Sequence, residues 1–521
     1  MLRLTYAAFA PHGANVPYGG RLPPRSHNGL IPGMNLHERA PGRTSSRFPA
    51  PGIDPVAAVS SPWFLGVVIL LALVVFAPTL VDWFSGDDFW FLRASQTDSP
   101  GQYSLRALDF RNTGTSIEFD RYRPLYPIAW RIQFAAFGMH AFYYHAMVIL
   151  AHVGCIVVTW LIARRLFDQT WAANLTALIF ALHPAYSNAV AWIGANRPFA
   201  TLPFLLSLLL GMGILEGRSP PSWSRLAASW VLYVVALLLH PSTIVLPAVL
   251  VAYVVLVAAQ SSAERYDWRR SALILPYIAV AVAASAIQWW VRHHLGVDEA
   301  FRFGTHQWTN YGGFLGLSLV PVNASDIDAA AVRYMQLAAS LLLLLVFVWL
   351  IRRRARPDVA SFAIVWFLIA LLPDSTLILG PAARLLYLPA PALAIVVVST
   401  LVAVGQDWPL VVPRSTARLA VLGCVPLVLL TLVVTYERTL GTRHDASRDH
   451  AFAQALDREG PAVAPGGTLY IQNAPRDLVL FGGTRLIALV QIYYGDVEVQ
   501  PVDVGEQPAL APGDAIFRYR R

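Results

Sequence analysis

The sequence predicts an all-α polytopic membrane protein carrying a small α/β domain at its carboxy terminus. Three observations predict it. The chain is 56% hydrophobic and only 13% charged, with a mean hydropathy of +0.51. Apolar stretches recur along it at about the 17–22 residues that a helix needs to cross the hydrocarbon core. They stop near Tyr436, and the composition beyond that point is that of a soluble fold.

Residues 1–60 are rich in Pro, Gly, Ser and Arg and show no apolar period, so they read as a disordered cytoplasmic tail. No short apolar core with a small-residue cleavage site is seen there, and Met34 is an alternative start. Eleven candidate spans follow, at about 61–81, 142–163, 171–187, 198–215, 224–239, 241–259, 271–291, 334–351, 359–373, 384–405 and 416–435. Residues 61–436 form the transmembrane domain on this reading. The division at His240-Pro241 matters most, because a mere kink there would remove one span and invert the later sidedness.

All 39 basic residues are arginine, which excludes a lysine Schiff base or lysine nucleophile. With the amino terminus inside, every predicted inner loop is basic, from Arg164-Arg165 through Arg352-Arg353-Arg354 to Arg414 and Arg418. That agreement favours eleven spans over ten. The net charge of +8 therefore sorts by membrane side and is no sign of nucleic-acid binding. Only Cys155 and Cys424 occur, both in apolar spans, so a disulfide framework and a cysteine-rich metal site are excluded.

The outer segments are then 82–141, 188–197, 292–333, 374–383 and everything after Tyr436. In the first, the apolar run Pro124 to Gly138 reads as an interfacial helix. Residues 437–521 read as a small soluble domain outside the cytoplasm. It has an amphipathic helix over Ala446 to Arg458 and strands at Thr468–Ile471, Asp496–Val502 and Ala515–Tyr519.

The chemistry centres on Asp87 and Asp88, adjacent carboxylates just beyond the first span. Two such charges repel, so one holds its proton longer than usual, which suits acid/base work at a membrane surface. The plainer reading is a polar helix cap. Plain readings also serve elsewhere. His145 and His152 would hydrogen-bond neighbouring helices, His183-Pro184 would end a helix, and Arg384 would anchor the interface.

After the acid pair come Arg121-Tyr122-Arg123-Pro124-Leu125, then Phe137-Gly138 to Tyr144-His145, His152, His183-Pro184 and Trp192-Ile193. Weaker echoes are Trp366-Phe367-Leu368 through Pro373, and Arg384-Leu385-Leu386-Tyr387-Leu388-Pro389. In order and spacing this set resembles the GT-C integral-membrane glycosyltransferases. The likeness is to the branch of protein O-mannosyltransferases that includes the transmembrane enzymes with tetratricopeptide repeats, although no repeat is seen here.

The resemblance implies an inverting transfer of a sugar from a polyprenyl-phosphate donor to a hydroxyl of a glycan or protein acceptor on the outer face. It implies Asp87 as general base with Asp88 beside it. It also implies Arg123, Arg197, Arg384, Tyr387 and His183 as substrate-binding residues. In a bacterial inner membrane that face is the periplasm. No cofactor is assigned, with a divalent metal kept as the alternative, since two adjacent aspartates alone make a poor octahedral cage for one. The chain departs from the family where Asn188 stands for an expected Glu, where Arg197 is displaced by one position, where His240-Pro241-Ser242 replaces Ser-Lys-Glu, and at Ala383. Rival readings are an O-antigen polymerase or ligase, a transporter or flippase for lipid-linked sugars, and a non-catalytic binder of polyprenyl phosphate. A transporter would show internal repeats, and none is seen.

Overall fold

The computed structural model describes residues 59–97, 99–112, 121–216, 222–261, 266–295, 303–321, 329–353, 357–378, 380–407, 414–479, 483–503 and 506–519. The amino-terminal tail up to residue 58, Met34 included, lies outside the described residues.

The chain opens with α1 (Phe64–Phe76), prolonged by a 3-10 turn to Val81. The outer segment then forms α2 (Asp88–Thr97), α3 (Pro100–Leu108) and α4 (Leu125–Phe137). The last covers the apolar run read as an interfacial helix, is helical as expected, and ends at Gly138 with φ 54. There follow α5 (Ala141–Phe167), α6 (Thr170–Leu182), the short α7 (Ser187–Ala191), α8 (Arg197–Glu216), α9 (Trp223–Leu239) and α10 (Leu246–Tyr253). The membrane region closes with α11 (Leu275–Leu295), α12 (His306–Leu319), α13 (Ala329–Arg353), α14 (Pro357–Ser375), α15 (Ala390–Asp407) and α16 (Arg414–Glu459).

All eleven segments expected to span are helical. Among the described residues six helices are long and apolar enough to cross a membrane: Phe64–Val81, Ala141–Phe167, Arg197–Glu216, Pro241–Ala258, Trp268–Val291 and Ala330–Arg352. Three more, Trp223–Leu239, Val359–Ser375 and Ala390–Val404, are apolar but shorter. The third expected span stops at Leu182 rather than 187. His183 is extended (ψ 122), the conformation favoured for a residue before proline, here Pro184.

His240-Pro241 is a true break. His240 is extended (φ −155, ψ 125) and a 3-10 turn, Pro241–Val245, starts after it. The Tyr233 hydroxyl donates to the Ile244 carbonyl at 3.2 Å. Tyr233 lies more than a turn before the end of α9, so only a chain that folds back can bring Ile244 beside it.

Side-chain contacts sort the helix ends into two sets. At one end the Arg165 Nε donates to Glu216 at 2.7 Å, and Tyr253 bonds the same carboxylate. At the other, Trp192 donates to the Ser85 carbonyl, Asn196 to the Leu239 carbonyl, and Arg197 pairs with Asp374. This is the alternation that the arginine pattern predicts.

The carboxy-terminal part differs from expectation in one respect. The helix expected at 446–458 is continuous with the last span, as the 46-residue α16. Its polar stretch still presents one stripe to the protein: Thr435, Thr439, Ala446, Asp449, Ala453 and Leu456 are all buried, at helical spacing. Beyond it lie β1 (Thr468–Gln472), α17 (Arg476–Val479), α18 (Thr484–Tyr494), β2 (Glu498–Val502) and β3 (Ala515–Arg518). The strands form a parallel sheet in the order β2-β1-β3. Fully buried Leu469 and Ile471 of β1 face a cluster shared with Phe84, Phe89 and Leu92 of the outer segment and with Leu486, Leu489 and Val490 of α18. Residues after Tyr436 thus pack on the loop that carries the acid pair.

Tight helix packing rests on small residues. A Cβ on Gly316 of α12 would lie 2.6 Å from the Gln336 carbonyl oxygen of α13, whereas one on Gly312 would meet nothing within 4 Å. Backbone cannot yield as a side-chain tip can. Gly316→Ala is therefore expected to cost about 1–3 kcal/mol and to lower the melting temperature in detergent, with Gly312→Ala unchanged. Equal melting of the two variants would contradict this packing.

Candidate active site

The acid loop, residues 82–88, turns on Gly86, whose φ of +59 is left-handed and disfavours any side chain. Asp88 starts α2, and its Oδ2 accepts the Ser85 N–H at 3.0 Å. Asp88 is 1% exposed, with its Oδ1 2.7 Å from where a Cβ on Gly194 would stand. Burial pushes its carboxyl up to about 8, and the charge of Asp87 adds to this. The amides of Ser85 and Gly194 and the Trp192 indole act in the opposite sense. Asp87 faces another way. Its Oδ1 accepts from Arg485 Nε at 2.8 Å and lies 2.7 Å from Nη2. The two neighbours are thereby divided: one is ion-paired, the other is buried and protonated at neutral pH. Repulsion within the pair contributes, but desolvation is the larger cause.

Arg485 lines a cavity of about 850 Å³, together with Ser85, Gly86, Asn188, Trp192, Arg384, Glu437, Arg438, Asp445, Asp449 and Asp477. The walls come from the acid loop, α7, the 3-10 turn Ala383–Tyr387, α16 and the carboxy-terminal unit. The Arg384 guanidinium lies over the Trp192 ring, 5.5 Å from its centroid. Trp192 is itself held by its bond to Ser85 at 3.3 Å. Among the described residues no carboxylate lies within ion-pair distance of Arg384. Arg438 donates to the Pro184 carbonyl at 2.9 Å. On the facing side Asp449 is 1% exposed, and burial, then the nearby Asp477, pushes its carboxyl up to about 8. Asp82 is also buried and stands at about 6, raised by desolvation against the pull of Arg443 at 3.8 Å.

Of the site residues singled out from the sequence only Arg384 lines this cavity; Asp87 and Asp88 adjoin it through Gly86 and Arg485, and the others stand apart from it. Arg197 is buried and pairs with Asp374 at 3.3 Å, while Ser242 donates to the other oxygen of Asp374 at 2.9 Å. Arg123 stacks over Tyr126, 4.6 Å from the ring centroid. His183 accepts the Ala185 N–H on Nδ1 at 3.2 Å and donates from Nε2 to the Ser318 carbonyl at 2.9 Å. These bonds define its neutral tautomer and a turn-capping role. Tyr387 donates to His152 Nδ1 at 2.7 Å, and His152 Nε2 donates to the Ala181 carbonyl at 3.2 Å. His152 therefore ties two neighbouring elements together, as expected of a histidine within a span. Among the described residues no group of three His, Cys, Asp or Glu side chains is placed to hold a metal ion.

Sequence reading missed Arg485, Arg438, Asp449 and Asp477. Nothing in their spacing separates them from surface residues of a soluble unit. Asp374 had a faint signal, since it directly follows the Leu371-Leu372-Pro373 echo.

With this geometry in view, comparison with known proteins is informative. The chain is similar to protein O-mannosyl-transferases. It is 31% identical over 179 residues to the protein O-mannosyl-transferase TMTC1 of Mus musculus, which covers 33% of this chain and 18% of that protein. The human TMTC1 protein is 28% identical over 194 residues, 35% of this chain and 21% of the other. Tmtc2 of Drosophila melanogaster is 27% identical over 183 residues, 33% and 20%. The chain thus spans about a fifth of the length of the curated relatives it matches. A crystal structure of the Archaeoglobus fulgidus oligosaccharyltransferase in the apo form overlays with a TM-score of 0.43 and 14% identity, over 84% of this chain and 64% of that one. No family model matches the chain. The apolar helices and these relatives identify an integral membrane protein that resembles the O-mannosyl-transferases.

The buried carboxyls set a pH dependence. Asp88 binds its proton more tightly folded (about 8) than at the ordinary carboxylate value of 3.8. Between those values the folded state holds the extra proton, so stability falls as pH rises. Asp88→Asn is expected to flatten that slope and to leave the protein more heat-resistant than wild type near pH 8. Melting curves from pH 5 to 9 check this. A steeper slope in the variant would contradict the buried, protonated Asp88.

Proposed function

We propose that this chain is a membrane glycosyltransferase. It moves a sugar from a polyprenyl-phosphate donor to an acceptor hydroxyl on the outer face, with inversion and with Asp87 as general base. The observation that carries the reading is one cavity where Arg384, lacking a carboxylate partner among the described residues, opens to the same space as the Arg485 that holds Asp87. Similarity to named O-mannosyl-transferases supports the reaction class and a protein hydroxyl as one acceptor.

In the step proposed, the acceptor hydroxyl gives its proton to Asp87 as its oxygen bonds to the anomeric carbon. The bond from that carbon to the phosphate oxygen breaks, and the phosphate leaves with the electron pair. Charge grows on that oxygen, and the Arg384 guanidinium stabilises it best where water is sparse. Asp88, neutral at pH 7, is a hydrogen-bond donor beside the base and adds no second charge to it. The eleven helical segments would place the cavity at the outer membrane surface, the periplasmic side in a bacterial inner membrane. The polyprenyl chain would lie in the bilayer, with its phosphate level with the Arg384 turn.

Envelope glycans and glycoproteins compared by mass spectrometry test this in cells with wild-type protein, a deletion, and Asp87→Asn. The sugar lost on deletion should be equally lost in Asp87→Asn at normal protein level. Its persistence in the variant would overturn the base assignment and favour a transporter or scaffold. Arg384→Ala should weaken binding of undecaprenyl phosphate, read by tryptophan fluorescence, about tenfold, the loss of one charge-assisted contact.

A further inference from the structure

We propose that Arg485, from the carboxy-terminal unit, is the positioning residue of the general base: it pins Oδ1 of Asp87 and leaves Oδ2 to take the acceptor's proton. The inference rests on the assignment of Asp87 above. Both guanidinium contacts fall on a single oxygen, Nε at 2.8 Å and Nη2 at 2.7 Å. Among the described residues Oδ2 takes no protein hydrogen bond, and the Asp87 side chain is 27% exposed. A carboxylate needs a held orientation to act as a base, and a third group that fixes it is the recurring solution.

The guanidinium is itself fixed on several sides. Arg485 sits in the first turn of α18, started by Gly483 at φ 74, and Nη1 reaches the Asp477 carbonyl at 3.5 Å. Its Cζ lies 3.7 Å from where a Cβ on Gly86 would stand, so the glycine lets the planar group lie close over the acid loop. Beneath it, Leu486, Leu489 and Val490 are buried in one cluster with Phe89 and Leu92 of α2, which begins directly after Asp87. The guanidinium is thus carried by one helix and the base stands directly before the start of another packed on it, a rigid support of the kind that precise placement needs.

Arg485→Ala and Arg485→Lys in the full chain test the proposal, with the sugar lost on deletion as the activity readout. Arg485→Ala should lower transfer about tenfold to a hundredfold at normal protein level, and Arg485→Lys should recover only part. Added guanidinium should restore transfer in permeabilised cells carrying Arg485→Ala and leave Asp87→Asn inactive. Binding of undecaprenyl phosphate should stay at the wild-type value in Arg485→Ala. Full transfer by Arg485→Ala with Asp87→Asn inactive would overturn the positioning role and spare the base. Loss of undecaprenyl phosphate binding, or no rescue by guanidinium in a variant that melts like wild type, would also overturn it.

Discussion

The site depends on one hydrophobic cluster that draws together segments from near both ends of the chain. Phe84, Phe89 and Leu92, just outside the first span, are buried against Leu469, Ile471, Leu486, Leu489 and Val490 of the carboxy-terminal unit. Each such side chain contributes about 1.5–3 kcal/mol when fully removed from water. A loop of seven residues with two adjacent acids would otherwise sample many conformations. Docked, it presents Asp87 to Arg485 and buries Asp88 against Gly194. Polar contacts then fix the register: Arg93 pairs with Asp496, Trp83 stacks on His450 at 4.7 Å, and Arg443 faces Asp82.

Electrostatics follow from that packing. Desolvation raises the carboxyls of Asp88 and Asp449 to about 8, and Asp449 lines the cavity, so the cavity carries less negative charge at neutral pH than its sequence suggests. Arg384, without a carboxylate partner among the described residues, is then the group on that wall suited to a phosphate, while Arg485 is taken up by Asp87. Deeper in the bundle the charges are matched. The buried Arg197–Asp374 pair, with Ser242 on the second oxygen, braces α8 against α14 rather than serving the cavity. Removing one partner of such a pair is far costlier than the pair is stabilising.

Much of the architecture was legible. Span length and the side preference of arginine give the eleven helical segments, and His240-Pro241 marks the reversal because the residue before a proline is biased toward an extended conformation, the one His240 takes. The three strands fall close to their alternating runs. Legibility failed where burial is polar. The amphipathic end of α16 was legible from Ala446 onward, but the part of its stripe before that reads Thr435 and Thr439, which has no hydrophobic period to detect. The site was legible by half. The acid pair and Arg384 could be found from the order of short motifs, but Arg485 meets Asp87 only through tertiary packing, 398 residues away. Tyr387 and His183, chosen by the same motifs, do not line the cavity and are held by the Tyr387–His152 and His183–Ser318 bonds.

The most direct test of the account is hydrogen exchange in the acid loop and α2, residues 82–97, compared between the full chain and one ended after Glu459. If the carboxy-terminal unit holds the acid loop in place, the Phe89 to Leu92 amides exchange slowly in the full chain and far faster in the shortened one, while the amides of α5 are unchanged. Equal protection of residues 82–97 in both would contradict the dependence of the site on that contact.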